Sequence, residues 1–265
     1  MYGFDYFRPI DLAEATQKIS AIEGAKLLSG GMTLLPTMKQ RLNAPAALID
    51  LNGIDGLDAI QATSEGIAIG ARARHFEVAS STIVRNALPA LAELAGLIGD
   101  PAVRHRGTIG GSIANNDPAA DYPAGTMALN ATIVTTRRSI GVDDFFVDLF
   151  QTALTQDEIV VQVRFPRWEK TAWQKFRSPA SRFAVVGVFV ALCGSVVRVA
   201  VTGSGIHGVF RASDFEKALA ADFRPEAIAG IEIEQSRLIA DGNADQPYRA
   251  HLIKVLTQRA VASIQ

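Results

Sequence analysis

The sequence predicts a mixed α/β protein made of two domains, and three observations support this. The chain has 265 residues, which is near the upper limit for a single hydrophobic core. Hydrophobic residues make up 48% of the chain and charged residues 20%, as in an ordinary globular protein. Helix-like and strand-like patterns alternate as far as Pro166, and two long β-branched runs then follow one another. We therefore expect a domain boundary at about residues 166–172.

The first 55 residues predict a small βαβ-like unit. The pattern Asp11-Leu12-Ala13-Glu14 is a capping box, which predicts a helix that begins there and ends near Ile22. A strand over residues 25–28 is expected to lead into a glycine-bearing segment, followed by a helix over 34–42. A second short strand is expected over 48–51.

The middle of the chain predicts short strands that alternate with helices, on the basis of apolar spacing and of the bounding glycine and proline residues. The strands are expected over 66–70, 131–134 and 159–165, and the helices over 75–80, 89–98 and 123–129. Past Pro166, the β-branched runs 184–193 and 196–201 flank Gly194-Ser195, which indicates an antiparallel hairpin. Two further helices are expected over 213–220 and 249–263.

Composition excludes several classes of function. The net charge of −1 gives no electrostatic basis for binding nucleic acid. No apolar stretch reaches the roughly 18–20 residues of a membrane span, and the N-terminus lacks the pattern of a signal peptide. The single cysteine, Cys193, permits neither an internal disulfide nor a self-contained iron–sulfur cluster, which needs about four thiolates. We therefore expect a cytoplasmic protein.

Two segments, Leu27–Leu34 and Arg106–Asp117, are the most informative part of the sequence. Each places a Gly-Gly pair and a hydroxyl residue directly after, or within, an apolar run. Glycine lets the backbone approach a ligand closely, and consecutive free N–H groups can hold phosphate oxygens. Two such segments in one chain predict a pair of loops that close on a long ligand with a central pyrophosphate.

Common phosphate-binding motifs do not explain these segments. No lysine follows Gly30-Gly31 where a P-loop requires one, and the second segment lacks the Gly-x-Gly-x-x-Gly spacing of a dinucleotide fingerprint. That spacing does occur at Gly203–Gly208, but Val209-Phe210-Arg211 separates it from the next capping pattern, Ser213–Glu216. A helix should open within the fingerprint, so we interpret this stretch as a glycine-rich connection.

No metal site or catalytic residue stands out. The four histidines, His75, His105, His207 and His251, show no metal-ligand spacing with one another or with other ligand residues. Cys193 lies in an apolar run and is expected in the core. For Asp117 and Asp121, two roles remain open: formation of a turn or helix cap, and binding of a ligand. Since no nucleophile is visible, any redox chemistry must come from a cofactor.

The second glycine segment and its continuation to Asp121, RGTIGGSIANNDPAAD, resemble the second flavin loop of the FAD-binding medium subunit of molybdenum hydroxylases. This family includes relatives of xanthine dehydrogenase and aerobic carbon monoxide dehydrogenase. The segment LLSGGMTL, with PTMKQRL and LIDL after it, is similar to the first flavin loop of the same subunits. Phe7-Arg8-Pro9 and the stretch from Lys175 to Gly187 fit as well, so the resemblance covers nearly the whole chain.

The resemblance implies an α+β fold. It consists of a two-subdomain FAD-binding domain of the vanillyl-alcohol-oxidase (PCMH) type and a C-terminal domain with a three-stranded antiparallel sheet and helices. The corresponding divisions are FAD-binding subdomain 1 over 1–55, FAD-binding subdomain 2 over 56–168, and the C-terminal domain over 169–265.

The resemblance also implies which residues hold FAD. The first segment would wrap the pyrophosphate, with Ser29 and Thr33 as hydroxyl donors, and the second would approach mainly through backbone N–H groups. Asp121 matches a carboxylate that accepts from sugar hydroxyls, and Lys175 a cation near the polar edge of the flavin. Ile98 would pack near the ring and Val160 near the adenine half. The full set is Leu27, Leu28, Ser29, Gly30, Gly31, Met32, Thr33, Leu34, Ile98, Thr108, Ile109, Gly110, Gly111, Ser112, Asn115, Asp117, Asp121, Val160 and Lys175.

Two departures from the family pattern affect the expected function. Met32 stands where many relatives carry a polar residue, so one side-chain contact to FAD is expected to be missing. NAD-dependent members carry an acidic cluster after the lysine, where this chain has Ser181-Arg182-Phe183-Ala184. This difference argues against NAD as the electron acceptor and leaves quinone, oxygen or another carrier open.

The family implies electron relay in a complex. A large subunit with a molybdopterin cofactor would oxidise the substrate, and a small subunit with two [2Fe–2S] clusters would pass electrons to FAD and then to an external acceptor. A dimer of heterotrimers, that is, a heterohexamer, is expected. Carbon monoxide, aldehydes and N-heterocycles remain open as substrates. The alternatives are a free-standing flavin oxidoreductase of the same fold and a non-redox nucleotide-binding module.

Overall fold

The computed structural model describes residues 1–265, which form fourteen strands and eleven helices. The strands are β1 (Asp5–Phe7), β2 (Lys26–Leu28), β3 (Ala47–Asp50), β4 (Ile60–Ala62), β5 (Gly66–Gly70), β6 (Thr132–Thr135), β7 (Ser139–Gly141), β8 (Phe146–Asp148), β9 (Gln151–Thr152), β10 (Val160–Pro166), β11 (Lys170–Arg177), β12 (Ala184–Cys193), β13 (Val196–Thr202) and β14 (Phe210–Arg211). The helices are α1 (Leu12–Ala21), α2 (Leu34–Lys39), α3 (His75–Ser80), α4 (Thr82–Ala87), α5 (Pro89–Gly96), α6 (Pro101–Arg104), α7 (Ile109–Asn115), α8 (Asp121–Ala128), α9 (Val142–Phe145), α10 (Ser213–Ala221) and α11 (Gln246–Ala262). Short 3₁₀ helices cover Leu51–Gly53, Pro225–Ile228 and Gln235–Arg237.

The first sheet is parallel, with the order β1-β3-β2. Helix α1 connects β1 to β2 and begins as the capping box predicts. The Asp11 side chain accepts from the Glu14 N–H at 2.8 Å, and the Glu14 side chain accepts from the Ile10 N–H at 3.2 Å. The βαβ-like unit is therefore confirmed, with an additional strand, β1, that sequence patterns did not predict.

The second and third sheets are antiparallel. The second has the order β4-β5-β10-β6-β7, and the third has the order β11-β12-β13-β14. The predicted hairpin of β12 and β13 is confirmed, with Cys193 paired to Val196 at its turn. The resemblance implied three strands in the last sheet. The structure adds a two-residue fourth strand, β14, which pairs with β13.

Three hydrophobic clusters lie under these sheets. The first packs α1 against the parallel sheet, the second fills the space between the five-stranded sheet and helices α3, α5, α7 and α8, and the third packs α10 and α11 on the last sheet. The second cluster continues across the junction to Trp173 and Phe189 of the last sheet. Trp173 is fully buried with no partner for its Nε1, and Trp168 donates from Nε1 to the Leu129 carbonyl at 2.9 Å.

The second glycine segment is a helix and not a loop. Thr108 is the N-cap of α7, and its Oγ1 accepts from the Gly111 N–H at 3.2 Å. Gly110 lies so close to Ala71, the residue after β5, that a Cβ on Gly110 would be 2.5 Å from the Ala71 Cβ. Here glycine permits close packing of a helix, and this tertiary contact outweighs its low helix propensity.

Several smaller differences concern boundaries and missed elements. Helix α8 begins at Asp121, two residues before the predicted start, and α4 and α6 were not predicted. The stretch Gly203–Gly208 opens no helix, because β14 intervenes before α10 begins at Ser213, so its interpretation as a connection is confirmed. None of the helices combines the length and apolarity that crossing a membrane requires.

Candidate functional site

One large cavity, with a volume of about 770 Å³, brings together distant parts of the chain. Every residue that the resemblance assigns to FAD lines this cavity except Ile109. Ile109 is fully buried in the central cluster, and its N–H donates to the Ala73 carbonyl at 3.0 Å. Neither its side chain nor its N–H is available to a ligand, so Ile109 is a core residue.

The first glycine segment presents free donors to the cavity. It joins β2 to α2 at the C-terminal edge of the parallel sheet, and no backbone N–H from Ser29 to Thr33 donates to another protein group. Gly31 has a φ of +72°, and a Cβ there would be 2.9 Å from the Leu35 side chain. Consecutive unpaired N–H groups in such a turn form a concave site for an anion.

The two glycine segments touch each other. A Cβ on Gly30 would lie 2.1 Å from the Arg106 carbonyl oxygen, so only glycine permits this approach. The hydroxyls of Ser29 and Thr108 lie 3.1 Å apart and form a hydrogen bond. The contact fixes the position of the free donors relative to α7.

Most N–H groups of the second segment are already occupied. The N–H of Gly110 donates to the Ala71 carbonyl at 2.8 Å, and that of Ser112 to the Thr108 carbonyl at 3.0 Å. The expectation that this segment binds mainly through its backbone N–H groups is therefore wrong for Ile109, Gly110 and Ser112. The helix that forms here consumes these donors, and the first segment supplies the free ones.

Asp121 and Lys175 form a buried ion pair in the cavity wall. Lys175 Nζ lies 2.6 Å from Asp121 Oδ2, and their side chains are 4% and 3% exposed. Burial raises the pKa of Asp121 to about 6, although the Lys175 charge opposes this shift. Asp121 Oδ1 has no hydrogen-bond partner in the protein, so this oxygen can accept from a ligand hydroxyl.

Three cations converge on the backbone carbonyls that follow α5. Lys175 Nζ lies 3.5 Å from the Leu97 oxygen, Arg104 donates to the Ile98 oxygen at 3.0 Å, and Arg182 approaches the Gly99 oxygen at 3.4 Å. Cations at a helix C-terminus are favoured by the helix dipole. Two of these cations, Lys175 and Arg182, line this end of the cavity, and Lys175 is paired with Asp121.

His75 and Phe150 also line the cavity, and sequence reasoning missed both. Burial, followed by the charge of Arg104, lowers the pKa of His75 to about 4, so the imidazole is neutral at neutral pH. Phe150 has a φ of +55°, which is unusual for an aromatic residue, and its N–H donates to the Asn116 carbonyl at 3.0 Å. In the sequence, His75 is recognisable only as a candidate metal ligand, and no local pattern identifies Phe150 as a residue of the site.

These features fit a dinucleotide cofactor. The free N–H groups suit the pyrophosphate, the Asp121 Oδ1 atom suits a sugar or ribityl hydroxyl, and the Lys175 end suits a group that becomes anionic when reduced. The residues that line the cavity range from Ile19 to Phe183 and come from all three parts of the chain, 1–55, 56–168 and 169–265.

Comparison with known proteins gives a consistent result. The family model described as the FAD binding domain in molybdopterin dehydrogenase matches residues 2–168. The chain is 34% identical to the carbon monoxide dehydrogenase medium chain of Hydrogenophaga pseudoflava, and the match covers 97% of this chain and 96% of that one. It is 32% identical to the glyceraldehyde dehydrogenase medium chain of Sulfolobus acidocaldarius, over 98% of both.

The three-dimensional comparison extends to the C-terminal part. A solved structure of carbon monoxide dehydrogenase from Hydrogenophaga pseudoflava, which lacks the Mo-pyranopterin moiety of its molybdenum cofactor, matches with a TM-score of 0.88. The identity is 32%, and the match covers 99% of this chain and 97% of that chain. The chain therefore belongs to the family of FAD-binding domains of molybdopterin dehydrogenases, and FAD is its cofactor.

Proposed function

We propose that this chain is the electron-transferring flavoprotein subunit of a molybdenum-containing hydroxylase complex. The observation that carries the proposal is the row of unpaired N–H groups from Ser29 to Thr33, in one cavity with the Asp121–Lys175 pair. Family membership supports the same conclusion. When bound, FAD supplies the redox chemistry, because a flavin can take up electrons singly and release them in pairs.

The residues of this chain would bind and orient the cofactor. The first glycine segment holds the pyrophosphate through its N–H groups, while the Ser29–Thr108 contact keeps α7 against it. Asp121 accepts a hydrogen bond from a hydroxyl and also holds the Lys175 ammonium in position. Lys175 provides positive charge at the end of the cavity where negative charge develops.

Electrons would reach this chain from a partner subunit. With one cysteine, the chain cannot hold a [2Fe–2S] cluster, so both clusters would lie in a small subunit and the molybdopterin cofactor in a large one. We propose a dimer of such heterotrimers. The parts 1–55 and 169–265 each contain one sheet and the part 56–168 contains two, and no sheet crosses from one part to another, which supports the proposed division.

The electron acceptor is proposed to be a carrier other than NAD. Arg182, and no carboxylate, lines the cavity after Lys175, and it is held with a φ of +63°. The substrate would be selected in the large subunit. Relatives with different substrates, carbon monoxide and glyceraldehyde, show nearly equal identity to this chain, which supports that assignment.

Reconstitution with FAD tests the proposal. The purified chain should bind FAD and show a flavin absorption spectrum that bleaches on chemical reduction. Pull-down from its native source, followed by mass spectrometry, should identify a cysteine-rich partner and a large molybdenum-binding partner. Absence of flavin binding would contradict the redox function, and purification without partners would favour a free-standing flavin enzyme.

A further inference from the structure

A hydrogen-bonded chain of side chains reaches the first glycine segment from outside the large cavity. Asp50 ends β3, and its Oδ2 accepts from the Tyr6 hydroxyl at 2.5 Å. Asp50 Oδ1 accepts from the backbone N–H of Asn52 at 2.9 Å and from Asn52 Nδ2 at 2.6 Å. Asn52 Nδ2 also donates to the Ser29 carbonyl at 3.0 Å.

The position of the Asn52 amide is determined by its neighbours. Its Nδ2 lies between two acceptors, the Asp50 carboxylate and the Ser29 carbonyl, so only the NH₂ end of the amide satisfies both. Asp50 is buried, and β3 is the central strand of the parallel sheet. Asn52 therefore connects a rigid element to the start of the glycine segment.

This contact determines the orientation of one peptide group. The peptide bond between Ser29 and Gly30 is trans, so its C=O and N–H point in opposite directions. Asn52 lines a smaller polar cavity of about 250 Å³ and not the large one, whereas Ser29 and Gly30 line both. Because the Ser29 carbonyl is turned toward Asn52, the Gly30 N–H is turned away from Asn52.

We infer that Asn52, held by Asp50, is a positioning residue that keeps the Gly30 N–H directed at the pyrophosphate of FAD. The inference rests on the proposed binding role of the first glycine segment. Neither residue contacts the large cavity, and neither belongs to the residues that the resemblance assigns to FAD. Without the Asn52 donor, nothing else in the protein bonds the Ser29 carbonyl, and the glycine at position 30 permits the peptide to rotate.

Two variants of the 265-residue chain and one control test this inference. Asn52→Ala removes the donor, and Asn52→Asp replaces it with a carboxylate of the same shape that repels both the Ser29 carbonyl and the Asp50 carboxylate. Asn86→Ala is the control, because Asn86 is exposed on α4 and makes no side-chain hydrogen bond. The measurements are the dissociation constant of FAD, the midpoint potential of the bound flavin and the unfolding midpoint of the FAD-free chain.

We expect Asn52→Ala to raise the dissociation constant of FAD roughly tenfold to a hundredfold, because one hydrogen bond to a charged group is lost. Asn52→Asp should raise it further. The midpoint potential should stay at the wild-type value, since the pyrophosphate is the same in both redox states and both bind more weakly by the same factor. The unfolding midpoint of the FAD-free Asn52→Ala chain should fall below that of Asn86→Ala, because Asp50 loses one side-chain donor, while the variant stays folded at the temperature of the binding assay.

Three results would overturn the inference. These are wild-type affinity in Asn52→Ala, an aspartate variant that binds as tightly as the wild type, or a loss of affinity that disappears at a lower temperature where the FAD-free variant is fully folded. Failure of the proposed function is a different result, because in that case the wild-type chain itself does not bind FAD.

Discussion

At the scale of single residues, Asp121 and His75 line the same cavity but have pKa values shifted in opposite directions. Burial raises the pKa of Asp121 from 3.8 to about 6, and burial lowers that of His75 from 6.5 to about 4. As the pH falls, Asp121 takes up a proton at a higher pH in the native state than in the unfolded state. Acidification from pH 6 to about pH 4 therefore stabilises the fold through this group. His75 takes up a proton at a lower pH in the native state than in the unfolded state. Acidification from pH 6.5 to about pH 4 therefore destabilises the fold through this group.

We predict that the two effects nearly cancel in the wild type and become visible in single variants. Asp121→Asn should lose stability more steeply than the wild type between pH 6 and pH 4. His75→Phe should lose stability less steeply than the wild type between pH 6.5 and pH 4, and each variant should differ from the wild type by on the order of 1–3 kcal/mol at the low end of its pH range. Urea unfolding at several pH values measures this, and parallel profiles for all three proteins would contradict the prediction.

At the scale of elements, the close approach of the two glycine segments is the feature that builds the site. A Cβ on Gly30 would collide with the Arg106 backbone, which cannot move aside as a flexible side chain could. The two segments would have to separate, and the Ser29–Thr108 hydrogen bond would lengthen. The site therefore depends on two backbones in contact as much as on side chains.

We predict that Gly30→Ala abolishes FAD binding or weakens it by at least a hundredfold, and lowers the unfolding free energy by about 1–3 kcal/mol. Gly141→Ala is the matched control, because Gly141 has open space around its Cα and no positive φ. Flavin absorbance after gel filtration measures retention of FAD. Equal retention by both variants would show that the two segments need not touch.

Sequence patterns predicted those helices and strands that depend mainly on residues near one another in the chain. The capping box of α1 and the β-branched runs of β12 and β13 are examples, because a cap and a strand pattern depend on neighbouring residues. Helix α7 was not predicted, since its glycines disfavour a helix and only the packing on Ala71 explains them. Phe150 was missed for a similar reason, because its place at the cavity is set by a contact with Asn116.

At the scale of the whole molecule, one buried arginine joins the last sheet to the central part. Arg198 of β13 donates from Nε and Nη2 to the Met127 carbonyl at 3.0 and 2.8 Å, and it pairs with Asp143 of α9. Arg198 is buried, and Met127 belongs to α8, the helix that packs against β12 and β13. The contact orients the sheet that carries Lys175 relative to the helix that carries Asp121.

We predict that Arg198→Met lowers the unfolding free energy by about 1–3 kcal/mol, because the Met127 carbonyl loses two hydrogen bonds from a charged donor and Asp143 keeps only Arg211 as an ion-pair partner. Arg164→Met, on the exposed side of β10, should change it by no more than about 0.5 kcal/mol. Equilibrium unfolding in urea compares the two variants. Equal stability would mean that Arg198 does not help to hold the junction.

The fluorescence of the two tryptophans reports on this junction. Both lie where the central cluster meets the last sheet, Trp173 in a dry apolar environment and Trp168 bonded to the Leu129 carbonyl. The chain has no other tryptophan, so its intrinsic fluorescence reports on that one region. Water entry at the junction would shift the emission to longer wavelength before the rest of the chain unfolds, and flavin bound nearby would quench it.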